Sequence, residues 1–169
     1  GAADWGGGGS EFIATPHLDR MAADGVVLTD FHASANVCTP SRAGLLTGRH
    51  PVRAGLARGV IHPWSTYGLP GDEITIAEML SQAGYATQLV GKWHLGSIPE
   101  AHPLEHGFDA FFGVPYSNDM SPFPLIEGRT VIEERADQSQ LTRRYTEAVT
   151  AFIGEQAEAG QPLFIYLGQ

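Results

Sequence analysis

Apolar residues recur at helical spacing in three stretches of the chain, and a short apolar or β-branched run follows each. In the first, Leu18, Met21 and Ala22 stand between Thr15-Pro16 and Gly25, the pattern of a short helix with Thr as N-cap, Pro in its first turn and Gly after its end. Residues 26–31 then predict a strand. In the second, Ile74, Ile76, Ala77 and Leu80 predict a helix over 72–83 that stops at Gly84, and residues 85–90 predict a buried strand. In the third, Leu141, Tyr145, Ala148, Val149, Phe152 and Ile153 form one apolar stripe, with a strand over 163–167 behind it. Helix followed by strand, repeated, predicts an α/β fold with helices layered on a sheet.

Between these units lie Gly- and Pro-rich stretches, about 50–71 and 96–130, longer than ordinary connectors, and segments of that length are functional or disordered. Residues 6–10 form a low-complexity run of four glycines and a serine, suited to a linker. A 43% share of hydrophobic residues over 169 positions suffices for one core and excludes a disordered polymer. No apolar run approaches the roughly 18 residues of a membrane-spanning helix. Ten basic residues against nineteen acidic give a charge of −9, which argues against a phosphate-backbone binder, so no nucleic-acid partner is expected. Lys92 is the one lysine and Cys38 the one cysteine, which excludes an internal disulfide. The chain opens on Gly1 without Met and closes in an apolar run, so both ends read as cuts in a longer protein, and the compartment is not legible.

Two segments concentrate chemistry. In the run from Cys38 to Arg49, the spacing predicts a short helix with Thr39 as N-cap, Pro40 at its first position and Gly48 past its end. Cys38 then sits at a helix N-terminus, where free backbone N–H groups favour an anion or thiolate, and Arg42, one turn on, adds a forked cationic donor. An ordinary buried cysteine fits the same spacing. The second segment is Gly91-Lys92-Trp93-His94-Leu95-Gly96, placed where α/β folds put ligands, at a strand's carboxyl end. Lys92 is a point charge suited to a sulfate or phosphate oxygen, and His94, two residues on, shares its face if the chain stays extended. A solvated Lys and a surface His are the plainer reading.

Cys-x-Pro-Ser-Arg followed by Leu-Thr-Gly-Arg resembles the signature of the sulfatase family, and the Gly-Lys-Trp-His-Leu-Gly hexapeptide resembles its second signature, in the family's order. The resemblance implies that Cys38 is converted to formylglycine by a formylglycine-generating enzyme, and that its hydrated aldehyde attacks sulfur. It implies that Lys92 contacts the sulfate, that His94 contacts the formylglycine and that Arg42 supports the nucleophile. Gly113-Val-Pro-Tyr-Ser-Asn-Asp119 is similar to a family segment whose serine binds the substrate's sulfate, which would make Ser117 a substrate contact; a simple turn is its alternative. His102, His106 and Asp109 resemble a structural stretch. Asp4 matches the second of two family aspartates that bind a divalent cation, usually Ca2+, together with the residue at position 38, whereas Ala3 stands where the first belongs.

The resemblance implies a partial alkaline-phosphatase-like fold: a central mixed, mostly parallel sheet flanked by helices, with residues 1–169 forming the N-terminal part of a sulfatase catalytic domain, incomplete at both ends. The implied activity is hydrolysis of small-molecule or sugar sulfate esters, with the isolated chain inactive. Alternatives are a phosphomonoester or phosphonate monoester hydrolase of the same superfamily, and a catalytically dead anion-binding module.

Overall fold

The computed structural model describes residues 12–169. The chain divides into two compact units, Gly1–His32 and Ala33–Gln169. In the first, α1 (Pro16–Asp24) forms as its sequence predicts, with Thr15 at the N-cap and Pro16 in the first turn. Residues 26–31 do not form the expected strand. A strand needs a neighbour to take its backbone hydrogen bonds, and no ladder among the described residues includes this run.

The second unit is organised around β1 (Ala86–Lys92), buried along nearly its whole length. Parallel neighbours on both edges and layers on both faces cover it, so that Thr87 and Gln88 are buried in it along with Leu89 and Val90. β2 (Ala110–Val114) and β5 (Leu163–Gly168) pair with β1 in parallel, whereas β3 (Leu125–Glu127) and β4 (Thr130–Glu133) extend the sheet antiparallel, giving the order β4-β3-β2-β1-β5. This is the expected mixed sheet between helices.

Side chains alternate across it. Leu89 and Phe111 point into a core with Ala43 and Leu46 of α2 (Cys38–Thr47), Ala77 of α3 (Ile76–Gln82) and Trp93. Val90, Val114 and Leu125 face Leu141 and Tyr145 of α4 (Gln138–Ala159). The α4 stripe is buried at Leu141, Tyr145 and Phe152, while Ile153 lies at its exposed margin.

Three boundaries differ from the sequence pattern. The helix expected over 72–83 starts only at Ile76, because Thr75 and Glu78 close a capping box: Glu78 N–H donates to Thr75 Oγ1 at 3.1 Å and Thr75 N–H to Glu78 Oε2 at 2.7 Å. The stretch 96–130 is not a loop throughout, since β2 and β3 lie inside it. The stretch 50–71 has no regular structure, yet it is packed, burying Ala54, Leu56, Ile61 and Leu69 in the core beside Trp93.

Glycines set the close approach at the sheet's carboxyl end. Gly91 stands in register with Gly113 on one side and Gly168 on the other, and takes φ +98. A Cβ on Gly113 would lie 1.9 Å from the Gly91 carbonyl oxygen, and one on Gly91 2.2 Å from that of Gly168, so no side chain fits at either position.

Candidate active site

Cys38 is the first residue of α2, preceded by an extended Val37, and Gly48 ends the helix in the left-handed conformation, donating to the Gly44 carbonyl at 3.0 Å. The helix therefore begins earlier than its sequence suggests. Val37 is the N-cap, and Thr39 is inside the first turn rather than capping it. Cys38 keeps the expected place among the free N–H groups of a helix N-terminus.

The Lys92 ammonium, at the last residue of β1, lies 3.1 Å from Cys38 Sγ and 3.1 Å from Ser117 Oγ. Three residues far apart in sequence thus meet at one cation. Ser117 starts a turn closed by Met120 N–H donating to its carbonyl at 3.0 Å, and Gln138 Nε2, at the first position of α4, donates to the Asn118 carbonyl at 2.8 Å. Asp119 follows in the same turn. The Ser117 hydroxyl above all, then its own backbone N–H and the charge of Lys92, hold the Asp119 carboxyl below its usual range.

Arg42 reaches the same place from α2. Its guanidinium donates to the Lys92 carbonyl and, at 3.3 Å, to the Tyr166 hydroxyl, with its centre 5.8 Å from the Tyr166 ring. A Cβ on Gly168 would come within 3.0 Å of Arg42 Nη1, so glycine in β5 leaves the guanidinium its room. A cleft of about 380 Å³ lined by Cys38, Ser41, Arg42 and Tyr166 opens on one side of Arg42. On the other, Arg42, Lys92, Asn118 and Gln138 border one of about 270 Å³.

His94 does not share an extended face with Lys92. The backbone turns at His94, which has φ +63, and its ring is buried with Nε2 2.9 Å from the Ile61 carbonyl oxygen. A left-handed non-glycine residue costs roughly 1 kcal/mol or more and persists only where its surroundings impose it. Here they do: Thr39 Oγ1 donates to the His94 carbonyl at 2.8 Å and accepts from Ile61 N–H at 3.0 Å. Because Ile61 offers an acceptor, Nε2 carries the ring proton, leaving Nδ1 as a buried acceptor without a partner. Burial foremost, then the Lys92 charge, lowers the His94 pKa to about 4, so the ring is neutral at pH 7.

Cys38, Lys92 and Ser117 are therefore brought into contact, with Arg42 joined through the Lys92 backbone and His94 through Thr39. Asp4 and Ala3 lie outside the described residues. Among the described residues no three His, Cys, Asp or Glu side chains gather as a metal site, and the group beside Cys38 is an ammonium, so the described part does not make up a calcium site. His106 and Asp109 serve the scaffold: the His106 carbonyl accepts from Thr75 Oγ1, and Asp109 Oδ2 accepts from Thr87 N–H at 2.9 Å. Arg49, the last residue of the Leu-Thr-Gly-Arg motif, pairs at 2.8 Å with the buried Glu73. Spacing along the chain does not identify Thr39, Ile61, Tyr166 or Asp119 as parts of the site; of these Thr39 and Asp119 lie in segments with a motif signal, where Thr39 reads only as a helix cap.

The sulfatase family's sequence profile matches residues 1–169. Arylsulfatase G of Rattus norvegicus is 38% identical over 204 aligned residues, covering 99% of this chain and 38% of that protein. N-acetylgalactosamine-6-sulfatase of Mus musculus is 38% identical over 189 residues, covering 98% of this chain and 36% of that protein. The crystal structure of a sulfatase from Pseudoalteromonas sp. aligns with a TM-score of 0.83 at 28% identity, over 98% of this chain and 40% of the other. These neighbours have the alkaline-phosphatase-like fold. The chain spans less than two fifths of the length of those two relatives. With a profile match along its whole length and more than a third of its residues shared with them, the chain belongs to the sulfatase family.

Proposed function

We propose that the full-length protein hydrolyses sulfate monoesters, sugar sulfates among them, using a nucleophile made from Cys38. The observation that carries this reading is the Lys92 ammonium bridging Cys38 Sγ and Ser117 Oγ at 3.1 Å each, at the N-terminus of α2. One cation shared by the nucleophile's position and a hydroxyl suits a tetrahedral anion bound against the attacking atom. The substrate class draws support from the mouse relative, whose name assigns it a 6-sulfated sugar.

The surroundings of Cys38 fit formylglycine, because an oxygen in place of Sγ keeps the Lys92 donor and the free N–H groups of the helix end. When installed by a formylglycine-generating enzyme, that group supplies a hydrated aldehyde as the oxygen nucleophile. Lys92 then holds sulfate oxygens by donating to them, joined by Ser117 once its hydroxyl proton turns from the Asp119 carboxylate, and Lys92 gains most as negative charge builds in the transition state. Arg42, held by the Lys92 carbonyl and Tyr166, contributes fixed positive charge. His94, neutral at pH 7, offers Nδ1 as a hydrogen-bond or proton acceptor. The expected Ca2+ rests on Asp4, and no step is assigned to it.

The test is mass spectrometry of the Cys38 peptide after co-expression of the full-length protein with a formylglycine-generating enzyme, paired with turnover of an aryl sulfate and an aryl phosphate. The expected result is an aldehyde at position 38, preference for the sulfate and no turnover by Cys38→Ala. Full turnover by Cys38→Ala, or faster cleavage of the phosphate, overturns the proposal.

A further inference from the structure

Thr39 is 1% exposed and follows the residue proposed as the nucleophile's precursor, yet its hydroxyl caps nothing in its own helix. Both of its capacities are used elsewhere: it accepts from Ile61 N–H at 3.0 Å and donates to the His94 carbonyl at 2.8 Å. Ile61 in turn offers its carbonyl oxygen to His94 Nε2 at 2.9 Å. One hydroxyl, both backbone groups of one residue, and the carbonyl and ring of another form a closed circuit. His94 is the one non-glycine residue at positive φ among the described residues, and the circuit closes on it. Ile61 belongs to a stretch without regular structure, so no helix or ladder of its own fixes its position. The ring left by this arrangement has its proton on Nε2 and a bare, buried Nδ1.

We propose that Thr39 is a positioning residue of the active site, whose hydroxyl fixes the backbone turn, ring orientation and tautomer of His94 through Ile61. This rests on the reading of residue 38 as the nucleophile and of His94 as its neighbour in the reaction. Valine has the shape of threonine without the hydroxyl and leaves two buried backbone groups unpaired, whereas serine keeps the hydroxyl and loses only a methyl. If Thr39 serves packing alone, valine is the milder change; if it serves the circuit, serine is.

The experiment uses the full-length protein with rates normalised to the aldehyde content at position 38. Thr39→Val is expected to lower kcat roughly 100-fold, the scale of a misplaced catalytic group, with KM for an aryl sulfate within about threefold of native. Thr39→Ser is expected to stay within about threefold of native in both. With 15N-labelled histidine, the hydrogen-bonded Nε2–H resonance, assigned by its absence from His94→Gln, should vanish from Thr39→Val and persist in Thr39→Ser. Should Thr39→Val not fold, Thr39→Ala replaces it, since alanine and serine both lack the methyl and only alanine lacks the hydroxyl. Native kcat in the hydroxyl-free variant, or loss of activity with the resonance intact, or equal loss in Thr39→Ser, overturns the inference. Native turnover by Cys38→Ala instead overturns the reading beneath it, and the resonance is observed without turnover, which keeps the two failures apart.

Discussion

The two faces of the sheet are covered by different means. On one, the 22-residue α4 lays Leu141 and Tyr145 against Val90, Val114 and Leu125. A helix bonds its own backbone, so this face is completed by apolar contact. On the other, helices of ten and seven residues and an irregular stretch surround Trp93. Irregular backbone must find partners elsewhere, and buried hydroxyls supply them: Thr39 to His94 and Ile61, Thr75 to His106, Thr87 to Gly107 at 2.7 Å. The polar contacts that complete this face also hold chemical groups at the end of β1. Stability resides in both faces, but the site's geometry depends on one of them, with α4 contributing the Gln138 clamp on the turn of Ser117.

The largest expected effect is on the α4 face. Leu125 is 0% exposed, and Leu125→Ala should destabilise the full-length protein by about 4 kcal/mol through the lost methylenes and the cavity. Urea unfolding measures it, and turnover per folded molecule should stay native; a tenfold loss of kcat would show that the faces are coupled. Lys92→Ala is the converse. It should raise the activation barrier by about 3 kcal/mol, roughly 100-fold in kcat/KM, with little change in thermal midpoint. A loss under threefold would place Lys92 outside the reaction.

Between pH 6.5 and about 4, acidification should act chiefly on the face around Trp93, because the Asp137 carboxyl at the start of α4, held below its usual range by Ser139, gives up its contribution only lower down. Burial, above all, lowers the pKa of His94 to about 4 and lowers those of His102 and His106. The unfolded chain takes up these protons near 6.5 and the folded chain only lower down, so between those values the unfolded state binds more of them. Stability should be level above pH 6.5 and fall as pH drops toward 4, by on the order of 3 kcal/mol for His94. Unfolding free energies at pH 7, 5.5 and 4.5 test this, and His94→Gln should flatten the slope, whereas Leu125→Ala should leave it unchanged. Arg49→Ala, on the same face, strands the Glu73 carboxylate, whose side chain is 6% exposed, and should cost about 2 kcal/mol, discounted because Arg49 itself is half exposed. Equal stability of Arg49→Ala and native protein would reduce that pair to a surface contact.

The same division explains what could be read from the chain. The α4 stripe was legible because a helix repeats its burial at a fixed period, and β1 and β5 were legible as short apolar or β-branched runs behind helices. The motifs around Cys38 and Lys92 stand at a helix start and a strand end, where an anion is favoured, but the same spacing fits a buried cysteine and a solvated lysine, and only the resemblance to the sulfatase signatures marked them as chemistry. The burial of residues 50–71 was not, because irregular backbone has no period and Ile61 acquires its role only through Thr39, 22 residues away. The expected strand over 26–31 failed for a related reason: its apolar pattern is local, while a ladder needs a partner that the pattern does not specify. The turn at His94 was equally hidden, since nothing in Lys-Trp-His marks a left-handed residue.

Helix caps give the smallest and most local contrast. Glu78→Ala removes one half of the Thr75 capping box, and Asp137→Ala removes the carboxylate that accepts from Ser139 N–H at 3.0 Å at the start of α4. Each should cost about 1 kcal/mol. The distribution of that loss should differ. A seven-residue helix has no interior to continue once its first turn opens, so hydrogen exchange should quicken along all of α3 in Glu78→Ala. In the 22-residue α4, Asp137→Ala should release only the amides of the first turn, because Leu141 and Tyr145 remain packed. Faster exchange throughout α4, or only at the N-terminus of α3, would show that packing, rather than length and capping, decides how each face holds its helices.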